Sequence, residues 1–117
     1  MLFTTLTVAT SLALANPVET HVLDNGVRLI LAPVEGQAFV AMQSFYDVGF
    51  LDDPKNLPQG AHLLEHLMCF GAGEQFAEGE TWAWLTEVGM VNAETLATFT
   101  HYDLLAPAAG LSRLLDA

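Results

Sequence analysis

The chain is 117 residues long, which allows at most one domain of ordinary size. A hydrophobic content of 52% excludes an intrinsically disordered chain. Fourteen acidic residues against three basic ones give a formal net charge of −11, so the chain lacks the basic patch that nucleic-acid binding needs.

The first fifteen residues, MLFTTLTVATSLALA, carry no charged side chain and resemble a secretory signal peptide. Ala13 and Ala15 form the small-x-small pattern that precedes signal-peptidase cleavage, and the apolar run is too short to span a bilayer. An edge strand or a frayed helix is the alternative, because no Lys or Arg follows Met1. We interpret residues 1–15 as a signal peptide, which predicts that the protein is exported to the periplasm or secreted.

The next segment predicts antiparallel strands. Residues 20–23 and 27–32 are strand-like, and the Asp-Asn-Gly between them is a tight-turn sequence that tolerates positive φ. Residues 37–48, QAFVAMQSFYDV, are rich in aromatic and β-branched residues and predict a third, largely buried strand. GFLDDPKNLPQG follows and predicts a loop, because it contains two Pro and an Asp-Asp pair.

Short helices and a further strand complete the pattern. Residues 61–70 are good helix formers, and residues 81–88 predict a second helix with Thr81 as its N-cap and Gly89 just after its end. The run ATFTHYDLL predicts a strand that ends near Pro107, and residues 111–115 begin another helix. This order of elements is typical of an α+β fold with an antiparallel sheet.

The first predicted helix contains the sequence HLLEH, which places His62, Glu65 and His66 on one face. Two imidazoles one turn apart can bind one zinc ion, and a carboxylate beside them can act as general base toward a metal-activated water. A buried helix with incidental polar residues is the alternative. It would cost about 1–3 kcal/mol for each polar group left without a buried partner. HxxEH is also the signature of the inverted zincins.

Three motifs in this order resemble the zinc peptidase family of pitrilysin, insulin-degrading enzyme and mitochondrial processing peptidase. LDNGVRLILAP is similar to the opening hairpin of the family, and GAHLLEH is similar to its metal-binding helix. EVGMVNAETLATFTHY is similar to the stretch after the next helix, with Asn-Ala-Glu-Thr where the family shows Asn-Ala-x-Thr. The resemblance extends over residues 20–115.

The resemblance implies an antiparallel-rich sheet with helices packed on one face. Residues 16–117 would then be the N-terminal, truncated part of a processing-peptidase-like zinc metallopeptidase domain. It further implies that His62 and His66 bind one Zn²⁺ ion and that Glu65 is the general base of an endopeptidase. The implied substrate is a peptide or protein.

The resemblance also implies a substrate-binding role for Asn92 and Ala93. They are expected on a strand, residues 92–102, that lies beside the metal-binding helix and pairs with the substrate backbone. For Asn92 the alternative is a turn residue after Gly89.

Two departures from the family pattern affect these expectations. The third zinc ligand of the family is a glutamate farther downstream than this sequence extends, so no residue here is assigned that role. The chain alone is therefore expected to bind zinc weakly and to be inactive. Cys69 stands where the family more often has an aromatic residue. We interpret Cys69 as a small buried hydrophobe and His101 as a structural residue, in preference to zinc ligands.

Other functions fit the same sequence. Complete enzymes of the family enclose substrate between two homologous halves, which implies a second domain or subunit as partner. A non-catalytic partner subunit of the family is therefore the main alternative, although such partners typically have eroded metal motifs and HLLEH is intact. An unrelated small α+β binding domain with an incidental motif is a further alternative, which zinc content would distinguish.

Overall fold

The computed structural model describes residues 17–74 and 76–115. The predicted signal peptide, residues 1–15, lies outside this part of the chain. The described residues belong to two compact units, which divide after Gln37. None of the helices described is long and apolar enough to cross a membrane.

The first unit contains a β-hairpin. Strand β1 (Glu19–Val22) pairs antiparallel with strand β2 (Arg28–Leu31). Gly26 in the turn has φ 86°, a conformation that glycine adopts without a steric penalty. The side-chain oxygen of Asn25 accepts a hydrogen bond from the backbone N–H of Val27 at 3.1 Å, which stabilises the turn. The predicted hairpin is confirmed.

The second unit contains a three-stranded antiparallel sheet in the order β3-β5-β4. Its strands are β3 (Phe39–Tyr46), β4 (Met90–Thr95) and β5 (Thr100–Pro107). The central strand, β5, hydrogen-bonds to both of the others. The antiparallel α+β class predicted from the sequence is therefore confirmed.

The expectation of a single strand over residues 92–102 is wrong, because a turn at residues 96–99 divides this segment into β4 and β5. The backbone N–H of Leu96 donates to the carbonyl oxygen of Phe99 at 2.8 Å and closes the turn. The turn also accepts two backbone hydrogen bonds, each of 2.9 Å, from Phe50 and Leu51. Because these bonds join segments that are distant in the sequence, the local sequence of the turn does not predict them.

The helices of the second unit lie between and after the strands. They are α1 (Gly60–Phe70), α2 (Glu80–Val88) and α3 (Leu111–Leu114), and short 3₁₀ turns form at Phe50–Asp52 and Ala108–Gly110. The predicted helices are confirmed, and the predicted loop contains the first 3₁₀ turn.

The start of α2 differs from the prediction. The N-cap residue is Gly79 at φ 78°, and Thr81 lies inside the helix. The Glu80 carboxylate accepts a hydrogen bond from the backbone N–H of Ala77 at 2.9 Å and so closes the turn that leads into the helix. An acidic side chain in the first turn is also favoured by the helix dipole. These two contributions place the N-cap two residues earlier than the predicted Thr81.

Helices α1 and α2 both contact β4 and β5, and they pack on one face of the sheet. The register aligns Met42, Leu104 and Val91 across the three strands. All three line a cavity of about 230 Å³ together with Met68 of α1 and Trp82 of α2. The layer arrangement therefore agrees with the fold that the resemblance implies.

The other face of the sheet carries exposed apolar side chains. Phe39 and Phe45 of β3 are 59% and 63% exposed, and Met90 of β4 is 74% exposed. The prediction that the third strand is largely buried is therefore wrong. The reason is that β3 is an outer strand, and none of the described elements of the second unit covers this face.

Candidate metal centre

The first turn of α1 is fixed by a residue from the preceding loop. The backbone N–H of Ala61 donates to Oδ1 of Asp53 at 2.8 Å. Carboxylates are favoured at a helix N-terminus because they pair with free N–H groups and with the helix dipole. Gln59 directly before the helix adopts φ 63°, so the chain turns sharply into α1. Asp53 thus anchors the turn that carries the first histidine of HLLEH.

The structure brings His62, Glu65 and His66 together on α1. One possible ligand atom from each residue lies within 4.8 Å of the others. The two imidazole rings have centroids 4.7 Å apart. This is the juxtaposition that the i, i+3, i+4 spacing predicts. Two imidazoles and a carboxylate form the kind of donor set that suits zinc.

Aromatic side chains flank the two histidine rings. Phe50 meets His62 edge to face, with centroids 6.1 Å apart, and Phe70 stacks on His66 at 5.9 Å. Nδ1 of His62 lies 3.5 Å from Oε1 of Gln59, which is a long contact for a hydrogen bond. The rings are therefore oriented mainly by packing.

Glu65 differs from the histidines in its environment. It is 6% exposed and lies on the buried stripe of α1 together with Ala61 and Cys69, whereas His66 is exposed. The hydroxyl of Thr95 on β4 donates a hydrogen bond to Oε2 of Glu65 at 2.5 Å. A buried carboxylate is costly without such a partner, so this contact compensates in part for its desolvation. The partner of Glu65 is thirty residues away, and sequence reasoning missed it.

Two further ionisable groups lie beside Glu65. Burial, and secondarily the charge of Glu65, raise the pKa of the Cys69 thiol. The pKa of Tyr102 is raised to about 12, mainly by burial and then by electrostatic interaction with Cys69, Glu65 and Tyr46. The Tyr102 hydroxyl donates to the sulfur of Met68 at 3.3 Å. Both groups are therefore protonated at neutral pH, and the interpretation of Cys69 as a buried, hydrophobe-like residue is confirmed.

The raised pKa of Cys69 gives a testable result. At pH 8 we expect iodoacetamide to alkylate Cys69 at least about tenfold more slowly in the folded protein than in denaturant, because the thiolate fraction and access both fall. The rate should increase as the pH rises above the ordinary thiol range. Mass spectrometry of the single cysteine measures this rate. Equal rates in the folded and unfolded protein would contradict the burial described here.

Asn92 and Ala93 both lie on β4, which contacts α1. The turn alternative for Asn92 is therefore wrong. Because side chains alternate along a strand, Ala93 faces the helices together with Thr95, whereas the exposed Asn92 side chain lies on the opposite face. Within the residues described, β4 pairs only with β5, so its other edge has free backbone groups. The structure thus places this edge beside α1 but does not bring the Asn92 side chain to the histidines.

His101 lies on the sheet face that points away from the helices. Its ring nitrogens lie 3.4 Å from a Glu94 oxygen and 3.0 Å from an Asp103 oxygen. Its ring stacks on Phe45 with centroids 5.8 Å apart and packs against Phe99 at the same separation. The interpretation of His101 as a structural residue is confirmed, since it lies on the opposite side of the sheet from α1.

Comparison with known proteins gives two sequence relatives. The chain is 37% identical over 100 residues to coenzyme PQQ synthesis protein F of Pseudomonas aeruginosa, a match that covers 81% of this chain and 13% of the relative. It is 30% identical over 95 residues to insulin-degrading enzyme of Drosophila melanogaster, covering 80% of this chain and 10% of that protein. The chain thus spans little more than a tenth of the length of these relatives. No protein-family model matches it.

A solved structure shares the fold. The crystal structure of a protease from Helicobacter pylori aligns with this chain at a TM-score of 0.77 and 26% sequence identity. The alignment covers 85% of this chain and 24% of the protease. The arrangement of helices and strands described above is therefore also found in part of a larger protease.

Proposed function

The chain belongs to the inverted-zincin metallopeptidase family that includes insulin-degrading enzyme, and on this premise we propose that it supplies the metal-binding helix of a zinc-dependent endopeptidase. The observation that carries the proposal is the convergence of His62, Glu65 and His66 within 4.8 Å on one face of α1. An intact set of this kind favours the enzyme over a non-catalytic partner subunit.

Each residue of the set has a separate role in the proposal. When bound, zinc supplies Lewis acidity, which lowers the pKa of water toward neutrality and polarises a peptide carbonyl. His62 and His66 would hold the ion through their imidazole nitrogens. Glu65 accepts the proton of the attacking water and then delivers it to the nitrogen of the leaving amine. Because Oε2 of Glu65 accepts the Thr95 hydrogen bond, Oε1 is the oxygen left for this transfer.

We propose that an extended peptide substrate pairs with the outer edge of β4. Addition of a strand to a free sheet edge provides backbone hydrogen bonds without requiring a particular sequence. The edge carries Asn92 and Ala93 and lies beside α1, so a paired substrate would pass close to Glu65. In this arrangement backbone groups of Asn92 and Ala93 that point to the outer edge make the contacts, and the exposed Asn92 side chain flanks the substrate.

A second homologous domain or subunit is the proposed partner. On α1, Leu63, Leu64 and Leu67 are 52%, 55% and 58% exposed. Contiguous apolar surface of this kind usually marks a contact with other protein surface. The exposed helix face therefore supports a partner that covers α1 on the side away from the sheet.

Zinc removal tests the proposed function. We expect the full-length protein, including the downstream glutamate that the family uses as third ligand, to hydrolyse an unstructured peptide. Dialysis against a chelator should abolish this activity, and about one equivalent of zinc should restore it, because the ion would supply the Lewis acidity of the reaction and its binding is reversible. Hydrolysis that survives complete metal removal would contradict the proposal. Zinc binding without any hydrolysis would favour the non-catalytic subunit.

We also propose that the protein is exported. The uncharged segment that ends in Ala13-Leu14-Ala15 supports cleavage after Ala15. N-terminal sequencing of the exported protein is then expected to begin at Asn16. Exported protein that begins at Met1 would show that this segment is not a cleaved signal peptide.

A further inference from the structure

We propose that Thr95 is a positioning residue that keeps Glu65 in the role of general base and prevents it from becoming a zinc ligand. The inference rests on the proposed function and adds a role for the last residue of the Asn-Ala-Glu-Thr motif. It is carried by one buried hydrogen bond between β4 and α1, from the Thr95 hydroxyl to Oε2 of Glu65.

The contact is the centre of a small buried polar group. In the part of the chain that the structure describes, the buried polar residues are Glu65, Thr95 and Thr100, which are 6%, 7% and 5% exposed. The Thr95–Glu65 bond measures 2.5 Å, at the short end of the range for an O–H donor and a carboxylate. Side chains in such a site have little freedom, so the bond fixes which way the carboxylate points.

The orientation of Glu65 matters because ligation is within its reach. A carboxylate oxygen of Glu65 and one nitrogen from each histidine lie within 4.8 Å of one another. A carboxylate is also an ordinary zinc ligand. A carboxylate free to rotate could therefore bind the ion and lose its capacity to accept a proton. With Oε2 engaged by Thr95, Glu65 is held at the side of α1 that faces the sheet.

Thr100 is the neighbour of Thr95 in the sheet, and its hydroxyl proton is used elsewhere. Thr95 is directly opposite Thr100 in the β4–β5 ladder, next to the turn between the two strands. The Thr100 hydroxyl donates to the carbonyl oxygen of Val48 at 2.9 Å, and its oxygen lies 3.4 Å from that of Thr95. Thr100 therefore shares the burial and the strand pair of Thr95, but it has no hydrogen bond to Glu65. It provides a matched control.

The first test compares substitutions in the full-length, zinc-loaded protein. Thr95→Val keeps the shape of the side chain and removes the donor, and we expect kcat to fall about ten- to a hundredfold with KM changed less than about twofold. Thr95→Ser restores the hydroxyl and should recover most of kcat. Thr100→Val should keep kcat within a few-fold of wild type. Equal losses for Thr95→Val and Thr100→Val, or no recovery with Ser, would overturn the inference.

Zinc affinity gives a readout that does not depend on activity. In competition with a chromogenic chelator, Thr95→Val is expected to bind zinc at least as tightly as wild type, because both histidines remain and the released Glu65 carboxylate can join them. Weaker binding in this variant would mean that Thr95 supports the histidines and does not restrain Glu65, and it would overturn the inference.

Thermal unfolding of the metal-free protein separates this inference from the proposed function. Thr95→Val should lower the unfolding midpoint in both backgrounds. The decrease should be about twice as large in the wild-type background as in the Glu65→Leu background, because only the wild-type background loses the hydrogen bond. Equal shifts in both backgrounds would refute the contact. If wild-type protein does not hydrolyse peptides, the proposed function fails. The difference between the two midpoint shifts still decides whether Thr95 restrains Glu65.

Discussion

Glu65→Gln is expected to abolish peptide hydrolysis in the full-length protein while leaving zinc bound. The amide has nearly the same size as the carboxylate and can still accept the Thr95 hydrogen bond through its oxygen, so the buried contact persists. It cannot accept a proton from water at neutral pH. Loss of a general base typically lowers the rate by about 10²–10⁴-fold, and the whole effect should appear in kcat.

The measurement pairs turnover with metal content. Glu87→Gln is a suitable control, because it removes the same charge from an exposed position on α2 and should behave as wild type. If Glu65→Gln loses zinc together with activity, Glu65 is a ligand, and the proposed mechanism is wrong. If the variant keeps both zinc and activity, another residue is the base.

His66→Ala is expected to lose zinc and activity together. The substitution removes one of two imidazole ligands and leaves His62 with the downstream glutamate, and we expect this reduced ligand set not to retain zinc at the concentrations used for assays. Because His66 is exposed, the truncation leaves no buried cavity and should have little effect on folding. Metal content and turnover should therefore both fall close to background.

His21→Ala provides the matched histidine control for that experiment. His21 lies on β1 and is half exposed, with a Glu19 oxygen 3.2 Å from Nε2, and it belongs to the first compact unit. Its replacement should change neither zinc content nor turnover. Full zinc content in His66→Ala, or zinc loss in His21→Ala, would contradict the assignment of the ligands.

The candidate metal set could be predicted from the sequence because it depends only on helix geometry. Residues at i, i+3 and i+4 share a face wherever a helix forms, so the spacing of His62, Glu65 and His66 is sufficient. The first hairpin was predictable for a similar reason, since the conformation of Gly26 is a local requirement of its turn. Both features are short-range, and tertiary packing does not change them.

The features that the sequence did not predict all depend on contacts between distant segments. The turn at residues 96–99 contains neither Gly nor Pro and is held by hydrogen bonds from Phe50 and Leu51. Asp53 caps α1 from eight residues before Ala61. Thr95 reaches Glu65 only because β4 packs against α1. Local propensity carries no information about such pairings, which are set by how the elements pack together.

The exposure of β3 has a related cause. Its aromatic and β-branched composition indicates a strand with a large apolar surface, and residues Phe39–Tyr46 do form such a strand. Whether that surface is buried depends on what lies against it, and none of the described elements of the second unit covers Phe39 or Phe45. Composition therefore predicted the strand but not its environment.

The central claim is that His62 and His66 hold a zinc ion with Glu65 beside it. Anomalous diffraction at the zinc absorption edge, from crystals of the full-length protein grown with zinc, tests it most directly. We expect one strong peak at about 2.0–2.1 Å from a nitrogen of each histidine. Glu65 should remain hydrogen-bonded to Thr95 and outside the coordination shell. A peak elsewhere, or one bonded to Glu65 in place of either histidine, would contradict the account.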